Sequence, residues 1–400
     1  MSNQTNKVAL YTLMFSAFII MGGIGMIVPV MPSYLEVFGV GGQVLGFLIA
    51  GFAFAQFLMS PIAGDLSDRY GRKIFIVSGL IIYGLSQLLF GAADAVWMLF
   101  VARFLSGAGA AFVLPPVMAY VADITTIEER GKGMGMIGAA ISLGFTIGPG
   151  IGGILAGIDI SFPFYFAGGV AIVAAGLSAI ILPKVKKQPS PQVAKPPREN
   201  LLKQLVKSTK TSYFVFLIIV FTFSFGISNF QSTLSLYLDH KFNYSAFDIS
   251  VILMVGGFAG VILQMYVIDK LFKKYGEMKV ILANLLAAAI SMLLVIYVSG
   301  FFIVLTVATI FSIATTFIRP AVNTLISKVA GNEQGFAAGM NNAYMSLGNM
   351  VGPILAGTLF DWNMDSPYIL GTVILAGCFI LTFTWTTKKA PHLMHASEHA

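Results

Sequence analysis

Twelve runs of about twenty apolar residues, parted by short polar breaks, take up most of the 400-residue chain. Each run is long enough for an α-helix to cross the ~30 Å hydrocarbon core of a bilayer. In lipid such a helix satisfies all of its own backbone polar groups. The runs cover 8–30, 44–63, 74–92, 96–122, 133–158, 164–183, 213–238, 248–269, 279–298, 301–329, 336–360 and 367–387. Soluble domains are roughly 25% charged, whereas this chain is 10% charged and 57% hydrophobic, which leaves almost nothing for a soluble domain. The expected class is therefore an all-α membrane protein of twelve transmembrane helices. The first run has only Lys7 before it, is too long for a leader and opens a series of like runs, so it reads as a membrane helix. Cys378, the single cysteine, lies in the last run with no partner for a disulfide or a metal and reads as a small packing residue.

Charge fixes the orientation, because Lys and Arg in short loops accumulate on the cytoplasmic side. With the amino terminus inside, Lys241 is the one basic residue of the 24 in an outer loop, and Arg103 and Arg319 fall within helices. An even number of spans then brings both termini to the cytoplasm. The net charge of +7 suits anionic lipid headgroups of the inner leaflet and calls for no nucleic acid.

The longest break, 184–212, carries Pro189, Pro191, Pro196 and Pro197 among eight basic residues, the make-up of a cytoplasmic linker. Toward its end Leu201, Leu202, Leu205 and Val206 share one helical face with the lysines elsewhere, predicting a short interfacial helix. His392, His395 and His399 lie in a tail whose only acid is Glu398, which reads as an unstructured tail and not as a metal site. Expected divisions are an N-terminal six-helix bundle (1–183), the linker (184–212), a C-terminal six-helix bundle (213–387) and a cytoplasmic tail (388–400).

Sliding the chain against itself supports the halves. At an offset of 204, Ser142-Leu-Gly-Phe-Thr-Ile-Gly-Pro149 meets Ser346-Leu-Gly-Asn-Met-Val-Gly-Pro353, and Pro116, Glu129, Gly131, Gly135, Met136 and Gly153 meet Pro320, Glu333, Gly335, Gly339, Met340 and Gly357. At 205, Gly51, Leu66, Tyr70 and Gly71 meet Gly256, Leu271, Tyr275 and Gly276. Six helices per half make the repeats parallel, a transporter plan with its substrate site near the midplane.

Three motifs stand out. The break after the second run reads Gly64-Asp-Leu-Ser-Asp-Arg-Tyr-Gly-Arg-Lys73, in which Asp68, a turn-permitting Gly71 and Arg72 could latch that helix to a neighbour, with Asp123 as the natural partner of Arg72. Its second copy, Asp269-Lys-Leu-Phe-Lys-Lys-Tyr-Gly-Glu277, keeps Gly276 but has Glu277 in place of Arg72, and reads as degenerate. Gly144, Gly148 and Gly152, with Pro149 between them, let helix backbones meet closely and bend. Gly348, Gly352 and Pro353 repeat the pattern, and Arg103-Phe-Leu-Ser-Gly-Ala-Gly109 places an arginine inside the fourth run.

Together these motifs resemble the major facilitator superfamily: its cytoplasmic loop signature, the antiporter motif of its export branch, and that branch's buried arginine, thought to assist proton transfer. A plainer reading of Arg103 has it snorkelling toward the outer surface. Val28-Pro-Val-Met-Pro-Ser-Tyr, Ala119-Tyr-Val-Ala-Asp-Ile-Thr-Thr, Pro163-Phe-Tyr-Phe-Ala-Gly, Arg319-Pro-Ala-Val and Ala330-Gly-Asn-Glu-Gln-Gly-Phe-Ala narrow the resemblance to the Gram-positive quinolone and multidrug efflux pumps. That resemblance implies export of amphipathic drugs (fluoroquinolones, dyes, biocides) in exchange for protons across the bacterial cytoplasmic membrane. It implies no cofactor, no metal and a monomer whose partners are small substrates, protons and lipids. By the same resemblance the substrate cavity is formed by Met21, Ile24, Gln56, Ser142, Phe145, Gln231, Thr316, Arg319 and Asn349.

Here the chain departs from its relatives. The family pattern expects a glutamate and an aspartate where Gln231 and Thr316 stand. All 17 acids lie in or beside loops, although an intramembrane charge, costing at least ~2.5 kcal/mol, usually marks function. The remaining proton-coupling candidates are Arg103 and the helix-end acids Glu36, Asp94, Asp123 and Asp248. With Arg319 at the cavity, neutral, zwitterionic or anionic amphiphiles should suit it better than permanently cationic dyes. Phe and Met, 34 and 19 residues, offer soft, adaptable walls, though most of them serve ordinary packing and lipid contact. An ATP-driven exporter is excluded, since Gly131-Lys132 lacks the upstream glycine and the following Ser or Thr of a phosphate loop. A membrane enzyme lacks convergent catalytic residues. An uptake permease or a lipid flippase of the same fold is the alternative reading, and the antiporter motif tells against uptake.

Overall fold

The computed structural model describes residues 3–183 and 201–389. The prolines of the linker and the three histidines of the tail lie outside the described residues. Fifteen α-helices and one short 3-10 turn (Gly331–Glu333) make up the regular structure, with no strand among the described residues. They are α1 (Asn3–Ile27), α2 (Met31–Glu36), α3 (Gly42–Tyr70), α4 (Arg72–Gly91), α5 (Val96–Ile124), α6 (Ile127–Ala156), α7 (Phe162–Ile181) and α8 (Leu201–Ser208). Then follow α9 (Phe214–Phe242), α10 (Ala246–Tyr266), α11 (Ile268–Tyr275), α12 (Glu277–Tyr297), α13 (Phe301–Ala330), α14 (Gln334–Trp362) and α15 (Ser366–Lys389). All twelve apolar runs are helices, and the interfacial segment expected near 200–207 is α8.

Eleven of these helices are long and apolar enough to cross a membrane. The run at 336–360 is also a helix of 29 residues, α14, but Gln334, Asn341, Asn342 and Asn349 keep it less apolar than the rest. Trp97 is 66% exposed, Tyr297 76%, Phe302 78% and Trp362 82%. In water such aromatics would be a liability, whereas at a bilayer interface they anchor helix ends.

The chain divides into two compact units, 3–183 with 235–254, and 201–234 with 255–389. In the first, α4 packs on α5 and α7, α5 on α3, and α1 on α6 and α7. Its core runs through Leu13, Ile20, Tyr83, Val117 and Tyr120, all fully buried. In the second, α12 packs on α13 and α15, and α14 on α15. The packing of α4 on α5 and α7 thus recurs as that of α12 on α13 and α15, as a sequence repeat requires.

Candidate functional site

The loop motif is mostly not a loop. α3 continues to Tyr70, and one residue, Gly71 at φ +104°, turns the chain directly into α4. An L side chain is strained at that φ, so Gly71 carries the whole reversal, while Gly64 has open space where a Cβ would stand. The turn makes Arg72 the first residue of α4. Its guanidinium pairs with Asp68, donates from Nη1 to Ser67 Oγ at 2.9 Å and from Nε to Asp123 Oδ2 at 3.2 Å. Three segments of the first unit therefore meet on one cation, at the ends of α3, α4 and α5.

The second unit corrects the reading of its copy as degenerate. Gly276, φ +79°, makes the same turn between α11 and α12, and Lys328 Nζ donates to Glu277 Oε1 at 2.6 Å. Sequence comparison by identity missed this pair. The 205-residue offset carries Arg72 onto Glu277, and the 204-residue offset of the α5 stretch carries Asp123 onto Ser327, next to Lys328.

Small residues fix the seat of α6. A Cβ added at Gly144 would stand 2.5 Å from Phe18 O, one at Gly148 2.5 Å from Gly22 O, and one at Gly152 would overlap Met26 O. These three glycines therefore seat α6 against α1 within the first unit. Pro149, inside α6, lies against Gly25 of α1. The other face of α6 meets α10, where Gly150 faces Met254 and Gly153 faces Ser250. In the second unit Gly348 and Gly352 bring α14 onto Phe221 and Phe225 of α9, and Pro353 is buried on that helix.

Arg103 does not snorkel. It is 6% exposed, its guanidinium lies 4.8 Å from the centre of the Phe90 ring, and its nearest acceptor is Met31 Sδ at 3.5 Å. Its Nε finds no acceptor and no carboxylate pairs with it among the described residues. Beside it the Tyr34 hydroxyl donates to Phe90 O at 2.6 Å, and burial pushes that hydroxyl up to about 12, so it remains a neutral donor.

In the first unit Met21, Ile24, Gln56 and Phe145 are half-buried and Ser142 is exposed. The Met21 side chain abuts Gly144, close to Phe145. In the second unit Gln231 and Asn349 are half-buried and Arg319 is exposed. Ser228 Oγ donates to Asn349 Oδ1 at 2.8 Å, which ties α9 to α14 near Gln231. Thr316 donates to Ser312 O at 2.7 Å and lies over Gly260 of α10.

The candidate acids separate by their surroundings. Asp248 accepts from the backbone N–H and the hydroxyl of Ser245, at 3.0 and 2.6 Å, while the Ser245 hydroxyl accepts from Asp248 N–H at 3.2 Å. That reciprocal cap, legible as Ser-x-x-Asp, accounts for Asp248 structurally. Asp123 is engaged with Arg72, and Asp94 is exposed between α4 and α5. Glu36 has a different neighbourhood, which sequence reasoning missed: its carboxylate, that of Asp239 and the His240 imidazole have ligand atoms all within 4.8 Å of one another.

Relatives at the level of sequence and fold agree with this architecture. The Major Facilitator Superfamily domain matches residues 13–330 and 216–399. The chain is 41% identical to Multidrug resistance protein 2 of Bacillus subtilis, over 97% of this chain and 98% of that protein. It is 36% identical to the quinolone resistance protein NorA of Staphylococcus aureus, over 93% and 95%. A bacterial homologue of the human lysosomal transporter Spinster, solved inward-facing and occupied, superposes with a TM-score of 0.80 at 14% identity, covering 97% of this chain and 98% of that one. Matched by domain, by near full-length relatives and by fold, the chain is a multi-pass membrane protein that belongs to the major facilitator superfamily.

Proposed function

We propose that this protein exports amphipathic drugs across the bacterial cytoplasmic membrane in exchange for protons, by alternating access of the repeats 1–183 and 213–387 with both termini cytoplasmic. Near full-length likeness to proteins named for multidrug and quinolone resistance carries the reading. The close α1–α6 seam at Gly144, Gly148 and Gly152 supports it, since this motif marks the export branch. The substrate cavity is assigned to Met21, Ile24, Gln56, Ser142, Phe145, Gln231, Thr316, Arg319 and Asn349. None of these residues is acidic, and Arg319 is a fixed cation, so the preferred substrates are neutral, zwitterionic or carboxylate-bearing amphiphiles such as fluoroquinolones.

Proton exchange is assigned first to Glu36. Its carboxylate has a second carboxylate and an imidazole close by, which offers a proton a short route between neighbouring groups. Arg103, buried and without an acid, is assigned to the first unit's internal switching and not to proton release, since a guanidinium keeps its proton. Expression in a bacterial host stripped of its own pumps tests the reading: cells should retain less norfloxacin than empty cells, and the difference should vanish with an uncoupler. Equal retention, or higher retention in expressing cells, would refute export.

A further inference from the structure

At the 205-residue offset Asp68 and Arg72 fall on Lys273 and Glu277, so both charges are inverted, and the 204-residue offset of the α5 stretch sets Asp123 on Ser327, one residue before Lys328. Asp65 likewise falls on Lys270, while Arg69 keeps its sign at Lys274. The geometry survives this inversion. Arg72 and Glu277 each open a helix directly after a glycine of positive φ, +104° and +79°. Each reaches a partner in the last turns of the next long helix: Asp123 of α5 at 3.2 Å, Lys328 of α13 at 2.6 Å. In both pairs the residue opening the helix is the covered one, Arg72 at 19% and Glu277 at 16%, and its partner is more exposed, Asp123 at 38% and Lys328 at 51%.

Drift away from a motif would leave a lone charge or two like charges, whereas here the residue opening the helix and its partner on the next long helix have both changed sign, which preserves attraction. Inversion also alters the relation to the helix termini. A glutamate at the start of α12 and a lysine in the last turn of α13 lie with the helix dipoles, while Arg72 and Asp123 lie against theirs. The first unit offsets that by adding Asp68 and Ser67 as further partners of Arg72. The second pair holds with fewer.

We propose that Glu277 and Lys328, with Lys273 in register, form a second conformational latch of inverted polarity, which biases the α12–α13 end of the second unit during transport as Asp68, Arg72 and Asp123 bias the α4–α5 end of the first. The inference rests on the transporter reading, and its residues are positioning residues that touch no substrate.

The test uses the full-length protein in liposomes with Glu277→Gln, Lys328→Gln, the exchanged pair Glu277→Lys with Lys328→Glu, and the first-unit polarity Lys273→Asp, Glu277→Arg, Lys328→Asp. Each single variant should lower the norfloxacin transport rate about three- to fivefold while equilibrium binding of norfloxacin stays within twofold, a split that mere loss of packing does not produce. Either re-paired variant should return transport to within twofold of the wild type. Wild-type rates in both single variants, or a failure of both re-paired variants to recover although both purify monodisperse, overturns the latch. If the wild type itself moves no norfloxacin, it is the export reading that fails. The latch is then decided by hydrogen exchange over 272–280 and 322–330: the single variants should speed exchange and a re-paired variant restore it, and unchanged exchange overturns it.

Discussion

At Gly148 the α6 backbone lies so near Gly22 of α1 that no side chain fits without moving one of the helices. Overpacking of this kind costs about 1–3 kcal/mol for one or two carbons. Gly148→Ala is expected to lower both thermal stability in detergent and dye efflux, and Gly148→Leu to abolish efflux at normal membrane expression. A Cβ added at Gly138 on the same helix would meet no atom within 4 Å, so Gly138→Ala should leave the melting temperature unchanged or raise it; a loss equal to that of Gly148→Ala would mean the seam is not what matters. The sequence singled out Gly144, Gly148 and Gly152 by their four-residue spacing, but the helix they press against was not legible, because close approach depends on the partner. Gln231 poses the other residue-scale test. Gln231→Glu should keep the fold and raise efflux of monovalent cationic dyes, and wild-type behaviour toward every substrate would remove Gln231 from the pathway. Glu36→Gln should weaken the dependence of efflux on external pH while Asp94→Asn leaves it intact, measured as efflux rate across a pH series.

The helix-end latch is an affair of elements, and its energy is small. Ion pairs as exposed as Arg72–Asp123 contribute roughly 0.2–1 kcal/mol, too little to hold a fold together yet enough to shift a two-state equilibrium about fivefold at the upper end. Asp68→Asn should therefore cut transport while leaving substrate affinity in detergent within a few-fold; a collapse of affinity by orders of magnitude would place Asp68 in binding instead. Gly71→Ala, forcing a Cβ into positive φ, should cost ~1–2 kcal/mol and impair transport further than Gly64→Ala, whose Cβ meets open space. At this scale the sequence supplied Asp68, Arg72 and Asp123 as partners, because their spacing and chemistry admit few others. It misjudged the continuity of α3 through Ser67, since polar residues there read as a loop although a single glycine makes the turn. It also passed over Glu277 and Lys328, because the two copies were compared by identity and attraction between charges depends only on opposite signs.

For the whole molecule, twelve runs, two parallel repeats and the superfamily were legible because a bilayer imposes length and apolarity on every span and the positive charges sort by side. The facing of each helix was not, since lipid tails and buried neighbours are equally apolar and the amphipathic pattern that orients a helix in water is absent. That is why the sequence left both a buried and a snorkelling Arg103 open, of which the structure shows the buried one, over Phe90, and why the meeting of Glu36 and Asp239 across 203 positions of chain was not foreseen. The molecule is proposed to be a proton-driven exporter without a mid-membrane acid, and a gradient of one pH unit is worth about 1.4 kcal/mol per proton, or tenfold in substrate. The most direct measurement is norfloxacin flux into liposomes holding the purified protein under an imposed pH gradient with the membrane potential clamped at zero, with protein-free liposomes subtracting passive entry. Proton exchange should give uphill accumulation in the more acidic compartment, up to about tenfold per pH unit for one proton exchanged, collapsing with a protonophore; accumulation no greater than in protein-free liposomes, or flux indifferent to the pH gradient, would contradict it.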